Sequence, residues 1–106
     1  MKLVLAIVNN DDSAVVSAAV TRAGYFVTKL ATTGGFLMTG NTTFLIGVDD
    51  EKAEDVIRII RDKSKRRTQL VPSNSVINYD SAAAPAEVTI GGATIFVMHV
   101  ERFEKV

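Results

Sequence analysis

The chain has 106 residues, with 12 basic and 12 acidic side chains that give a formal net charge of zero. The absence of cysteine excludes disulfides and thiolate chemistry. The balanced charge argues against a general nucleic-acid binder, because such proteins neutralise phosphates with excess Lys and Arg. We expect one domain over 1–106, no membrane span, no signal peptide and a cytoplasmic location.

The first half of the chain predicts a strand, a helix and two further strands. Residues 3–8 are an unbroken aliphatic run, typical of a central strand. The polar residues at 10–13 offer several N-caps, and the apolar residues that follow have helical spacing up to Gly24. Strands over 25–31 and 42–48 come next.

The second half predicts a helix, an irregular region and an interrupted final strand. Asp49 or Asp50 is expected to cap the helix. The predicted buried face of this helix comprises Ala53, Val56, Ile57 and Ile60. Residues 66–85 have the least regular pattern, and two strand-like runs, 87–90 and 94–100, flank Gly91 and Gly92.

The order of these elements is βαββαβ, with the last strand bent or doubled. This order predicts an α+β, ferredoxin-like fold, in which an antiparallel sheet carries both helices on one face. Alternating positions on the strands are apolar on both faces, so the face without helices needs another cover. We therefore expect a homo-oligomer. The residues concerned are Leu3, Leu5, Ile7, Phe44, Ile46, Phe96 and Met98, with Val4, Leu45 and Val97 beside them.

The long link between the second and third strands has the composition of a nucleotide site. Gly34, Gly35 and Gly40 allow backbone N–H groups to approach a phosphate, and Thr and Asn side chains around them can add hydrogen bonds. Phe36 offers a flat face for a base. Two alternatives stay open: residues 36–38 dock on a neighbouring subunit, and Gly91 with Gly92 merely turns the chain.

Catalysis has little support in this sequence. The single histidine, His99, lies on an apolar strand, where a structural role is commoner. The acidic pairs at 11–12 and 49–51 stand at predicted helix starts, where capping and the helix dipole explain them. The basic cluster at 58–67 fits the end of a helix and a solvated face. We expect no enzyme, no metal and no cofactor.

The sequence resembles the PII-like cyclic-di-AMP receptors. The matching residues are the run Thr28-Lys-Leu-Ala-Thr-Thr-Gly-Gly-Phe-Leu37, Gly40-Asn-Thr-Thr-Phe44, Gly91-Gly-Ala-Thr94, Phe96-Val97, and the opening 6–8 and 12–13. The resemblance implies a homotrimer of ferredoxin-like subunits with a cyclic dinucleotide in each of three intersubunit clefts. It also implies a signal-transduction protein whose loops rearrange on binding and act on a downstream protein.

The resemblance further implies which residues bind the ligand. Phe36 would stack on adenine, Thr28 would contact phosphate or adenine, and Asn41 would donate or accept a hydrogen bond. The glycines allow close approach of the backbone. The full set is Thr28, Gly35, Phe36, Leu37, Asn41, Gly47, Gly92 and Phe96.

Three features depart from the family pattern and leave alternatives open. Family members carry Asn near position 24 and Arg at position 26, where this chain has Gly24 and Phe26. The segment before the last strands is shorter, and Lys105 stands where a ligand-contacting Gln is expected. The alternatives are ATP, AMP or another small anion as ligand, a ligand-free interaction scaffold, and an RNA-binding module on a similar frame.

Overall fold

The described part of the chain comprises residues 1–30, 40–71 and 86–106 of a computed structural model, and it contains two α-helices and six strands. The elements are β1 (Lys2–Asn9), α1 (Asn10–Arg22), β2 (Thr28–Leu30), β3 (Asn41–Val48), a 3₁₀ turn (Asp50–Lys52), α2 (Ala53–Lys63), β4 (Arg67–Val71), β5 (Ala86–Ile90) and β6 (Ala93–His99).

Four of these strands form an antiparallel sheet in the order β2-β3-β1-β6. The aliphatic strand β1 lies between β3 and β6, with Val4 opposite both Ile46 and Val97. Taken without β4 and β5, the chain runs β1-α1-β2-β3-α2-β6, which is the predicted ferredoxin-like order. The predicted α+β fold with an antiparallel sheet and two helices is confirmed.

The core lies between the two helices and one face of the sheet. Because side chains alternate along a strand, Val4 and Ile46 point to this face with their neighbours two residues away, and they are fully buried. The helices contribute buried residues such as Val16 and Ile60. Burying an aliphatic side chain of this size contributes about 1.5–3 kcal/mol. On α2 the predicted face is buried except at Ile57, which is half-buried.

Several predicted boundaries are wrong, and the hydrogen bonds at the ends of the elements explain the differences. Asn9, rather than a residue in 10–13, caps α1, since its side-chain oxygen accepts the N–H of Asp11 at 2.9 Å. Asp49 precedes the 3₁₀ turn without a side-chain cap, and α2 starts only at Ala53. The second strand is shorter than 25–31. The N–H of Tyr25 closes the end of α1 by donating to the Val20 carbonyl at 3.2 Å, so this residue does not pair with β3.

The region predicted to be irregular, 66–85, begins with a strand. β4 pairs with β5 in a separate two-stranded antiparallel sheet, from Arg67 opposite Ile90 to Val71 opposite Ala86. The strand predicted at 87–90 therefore does not extend the last strand of the main sheet. We call the β4–β5 pair the arm.

An ion pair between an exposed arginine and a buried carboxylate holds the base of the arm. Asp12, in the first turn of α1, is only 4% exposed. Arg67, the first residue of β4, donates from Nη2 to Oδ1 of Asp12 at 2.8 Å and from Nη1 to Oδ2 at 3.4 Å. This bond to Asp12 raises the pKa of Arg67. A buried carboxylate without such a partner is strongly destabilising. Arg67 therefore has a structural function, and the prediction of a solvated basic face over 58–67 is wrong for this residue.

The other strand of the arm is held at the same place. Gly91 and Gly92 join β5 to β6 with φ of +83° and +84°, and the N–H of Gly92 donates to the carbonyl of Ser64. A Cβ on Gly91 would lie 2.6 Å from the carbonyl oxygen of Lys65 and 2.8 Å from Nη1 of Arg67. The chain thus needs glycine at 91 both for its backbone angle and for space.

Replacing Gly91 with Ala is expected to destabilise the fold more than replacing Gly24, which ends α1. Gly24 has φ of +99° with no described atom within 4 Å of an added Cβ, so Gly24→Ala carries only the left-handed backbone cost of about 1–2 kcal/mol. Gly91→Ala adds an overpacking cost of about 1–3 kcal/mol. Urea denaturation at one protein concentration measures both. Equal losses of stability would contradict the close packing at the base of the arm.

Candidate functional site

Five of the eight predicted ligand-binding residues lie in the described part of the chain. They are Thr28, Asn41, Gly47, Gly92 and Phe96. The other three, Gly35, Phe36 and Leu37, lie outside the described residues, so their predicted contacts stay predictions.

The face of the main sheet opposite the helices, which we call the open face, carries most of the five. Across it, Thr28 lies opposite Leu45, Leu45 opposite Leu5, and Leu5 opposite Phe96. Thr28 and Phe96 therefore share one cross-strand row but lie on the two edge strands, β2 and β6. Three strand spacings separate these edges, about 14 Å. In a single chain the structure does not bring Thr28 and Phe96 together.

The open face is apolar along most of its area. Leu3, Leu5 and Ile7 are half-buried. On β6, Phe96 is 53% and Met98 is 41% exposed. Apolar residues on both sheet faces were predicted, and this pattern is present. Such a patch on a small domain commonly marks an interaction surface.

Asn41 and Gly92 do meet within one chain. They line a polar cavity of about 160 Å³ at the end of the sheet where β1 finishes and β3 and β6 begin. We call it the Asn41 pocket. Its lining residues are Ile7, Asn9, Asn41, Arg66, Gly91, Gly92, Ala93 and Thr94. Asn41 is placed by its register opposite Asn9, and Gly92 by its backbone bond to Ser64.

Gly47 lines a different cavity of about 300 Å³, at the opposite end of β3. Gly24 and Phe26, two of the positions that depart from the family pattern, line the same cavity. Phe26 is 90% exposed. These two departures thus lie beside Gly47, a predicted site residue. Phe26 places an aromatic ring in this cavity at the position where the family pattern has Arg.

A hydrogen bond between two side chains attaches the segment leading into β2 to α2. The hydroxyl of Tyr25 donates to Oδ2 of Asp55 at 2.6 Å, and Arg58 pairs with the other oxygen of the carboxylate. This bond raises the pKa of the Tyr25 phenol, and it also lowers the pKa of the Asp55 carboxyl, which the positive charge of Arg58 lowers further. Tyr25 therefore holds Phe26 and the start of β2 close to the helix layer.

His99 and the two acidic clusters of the sequence lie at the two ends of β1. His99 lies opposite Lys2 at one end of β1, where Asp50 pairs with the amino group of Met1. Asp11 and Asp12 follow the other end of β1. Within the described ranges, no three acidic or histidine side chains are grouped closely enough to hold a metal ion. Nor does any helix there have the length and apolar character to cross a membrane.

The predicted site did not include Phe26 or Arg66, which line the two cavities. Phe26 was noted only as a departure, and Arg66 was grouped with the basic cluster. Arg66 lines the Asn41 pocket because the arm brings it beside Gly92. No periodicity or motif in the sequence indicates that contact, since it depends on the pairing of β4 with β5.

Comparison with known proteins identifies the family. A family model described as cyclic-di-AMP receptor matches residues 1–106. The chain belongs to the cyclic-di-AMP receptor family. A crystal structure of a functionally unknown protein from Pediococcus pentosaceus is similar to this chain, with 38% sequence identity and a TM-score of 0.79. The alignment covers 99% of this chain and 96% of that one. The predicted resemblance is confirmed, and the family is one of receptors.

Tyr25→Phe should raise the pKa of Asp55, because it removes the hydrogen bond that contributes most to the lowering. The directions of the two pKa shifts determine how the free energy of unfolding depends on pH. The Asp55 contribution is present above the carboxyl's unfolded pKa, about 4, and is lost as pH falls through its lower folded pKa. The Tyr25 contribution is present below about pH 10 and is lost as pH rises through the higher folded pKa.

NMR titration of the Asp55 carboxyl in both proteins measures this effect. Circular dichroism provides the control that Tyr25→Phe keeps the fold. An Asp55 titration that is the same with and without the phenol would show that the bond is absent in solution.

Proposed function

We propose that the protein binds cyclic-di-AMP in clefts between the subunits of a homotrimer and reports binding through rearrangement of its loops. The family match over 1–106 supports the ligand. The observation that carries the intersubunit position is the separation of Thr28 and Phe96 on opposite edges of one sheet face.

A ligand within one chain could reach both edges only by lying across Leu5 and Leu45. These side chains offer no hydrogen-bond partner to a phosphate or a base edge. If the β2 edge of one subunit lies beside the β6 edge of the next, Thr28 and Phe96 come from two sides of one cleft. The same contact covers two strand edges whose backbone groups are otherwise exposed.

The contact proposed here is head-to-tail, since it uses different surfaces on the two copies. Contacts of this kind close into rings when the rotation per subunit allows it. A ring of three also gives the apolar open face a cover, with Leu5, Phe96 and Met98 turned toward neighbouring subunits. The assembly and the ligand cleft therefore require the same surface.

The ligand's chemistry matches what the cleft offers. Adenine can stack on an aromatic ring such as Phe96, while Thr28 and Asn41 supply polar groups for phosphates or base edges. Phe26 is a specific reason to keep ATP and AMP as alternative ligands. An exposed aromatic ring beside Gly47, where a cation was expected, favours stacking on a base over attraction of a phosphate.

Isothermal titration calorimetry with cyclic-di-AMP, ATP and AMP tests the ligand. We expect cyclic-di-AMP to bind most tightly, with about one ligand per subunit. Phe96→Ala should weaken its binding by about 1–3 kcal/mol through loss of stacking. Val15→Ala, which truncates an exposed apolar residue on α1, is the matched control. Absence of heat with cyclic-di-AMP at several temperatures would refute the ligand, and unchanged affinity in Phe96→Ala would refute its pose.

Sedimentation velocity tests the assembly. Wild-type protein is expected to be a trimer at micromolar concentration, and Met98→Glu should dissociate it by placing a charge on the open face. Val97→Glu is the control, because Val97 is similarly exposed, at 43% against 41%, but lies on the other face of β6. A monomeric wild-type protein, or equal behaviour of the two variants, would contradict this assembly.

A further inference from the structure

We infer that Arg66 binds a phosphate group of the nucleotide in the Asn41 pocket. The inference rests on the proposed function, because it assigns a new residue to that ligand. It adds a cation to a site whose predicted residues are all uncharged.

The position of Arg66 is set by its neighbours on both sides. Arg67 is fixed on the buried carboxylate of Asp12, and the carbonyl of Ser64 accepts the N–H of Gly92. Between these two attachments, the Arg66 side chain lies over Gly92. A Cβ on Gly92 would be 3.7 Å from Cβ and 3.8 Å from Nε of Arg66. The missing side chain at 92 leaves the space beside the guanidinium open.

The charges around the pocket favour an anion. The positive charge of Arg67 is balanced by Asp12, whereas Arg66 takes part in none of the ion pairs among the described residues. Among the described residues, the lining of the pocket contains two amides and a hydroxyl, from Asn9, Asn41 and Thr94, and no carboxylate. A guanidinium can bind two oxygens of one phosphate at once, and amide and hydroxyl donors can bind the others.

The size of the pocket indicates which part of the ligand it holds. Its volume of about 160 Å³ is below the roughly 300 Å³ at which sites for whole small molecules begin. It therefore suits a phosphate group, with the base bound elsewhere. On β6, Thr94 lines the pocket and Phe96 is the next residue on the open face, about 7 Å further along the strand. A phosphate at Arg66 thus places the attached nucleoside toward Phe96.

Calorimetric titration of Arg66→Gln with cyclic-di-AMP tests the inference. Affinity should fall by about 10- to 100-fold, the usual effect of losing a charged hydrogen-bond partner. Arg66→Lys should bind with intermediate affinity, since Lys keeps the charge but not the two-pronged geometry. Raising the ionic strength should weaken wild-type binding more than binding by Arg66→Gln. Sedimentation and thermal melting confirm that the variants keep their fold and assembly.

Arg61→Gln is the matched control. Arg61 belongs to the same basic cluster and is exposed on α2, but it does not line the Asn41 pocket. Its loss should change affinity by less than about twofold. Equal effects of Arg61→Gln and Arg66→Gln would mean that only the general positive charge matters, and this would overturn the inference.

The experiment separates this inference from the proposed function. If wild-type protein binds cyclic-di-AMP and Arg66→Gln binds equally well, Arg66 is not a phosphate ligand, and the proposed function stands. If wild-type protein does not bind cyclic-di-AMP, the proposed function fails, and AMP and inorganic phosphate become the probes. Binding of either that is lost in Arg66→Gln but kept in Arg61→Gln supports the pocket. Wild-type protein that binds none of the three overturns the inference as well.

Discussion

The buried carboxylate of Asp12 is the constraint on which the geometry of the site depends. At 4% exposure it must be neutralised within the protein, and the first residue of β4, Arg67, provides the charge. Gly91 lies against this pair so closely that a methyl group would collide with Arg67. The start of the arm is therefore attached to the first turn of α1, and its end packs against the same ion pair. Arg66 and Gly92 are the next residues at these two places.

The same turn of α1 also holds the start of β3. The N–H of Asn10 donates to the carbonyl of Gly40 at 2.8 Å, and its side-chain oxygen accepts from the Thr42 hydroxyl at 2.6 Å. Asn41 lies between these two attached residues. Residues 10 and 12 thus hold the start of β3 and the start of the arm from one helix turn, and their neighbours Asn41 and Arg66 line the Asn41 pocket.

The sequence predicted the parts of the fold that depend on local periodicity. The alternation in β1 and β3 and the helical spacing in α2 identify the core, because each buried side follows from the period of its own element. β4 was missed because it starts within a run of basic residues and is stabilised by pairing with a strand about 20 residues away. The start of the second strand was misplaced because Tyr25 completes the end of α1.

The resemblance supplied the site residues, but the meeting of Asn41 with Gly92 and Arg66 depends on the register across β1 and on the arm. No single segment of the sequence encodes either of these.

Alternation along the strands divides the sheet into a buried face, which forms the core, and an apolar open face. Val4 and Ile46 are buried on one face under the helices, whereas Leu5, Leu45 and Phe96 lie on the open face, where we propose that a neighbouring subunit and a ligand bind. Substitutions at exposed positions, on the open face or in the segment before β2, leave the core contacts intact. Phe26 is such a case, since it is fully outside the core cluster and its neighbour Tyr25 keeps the attachment to α2. The charge at position 26 can therefore change without a change in the fold.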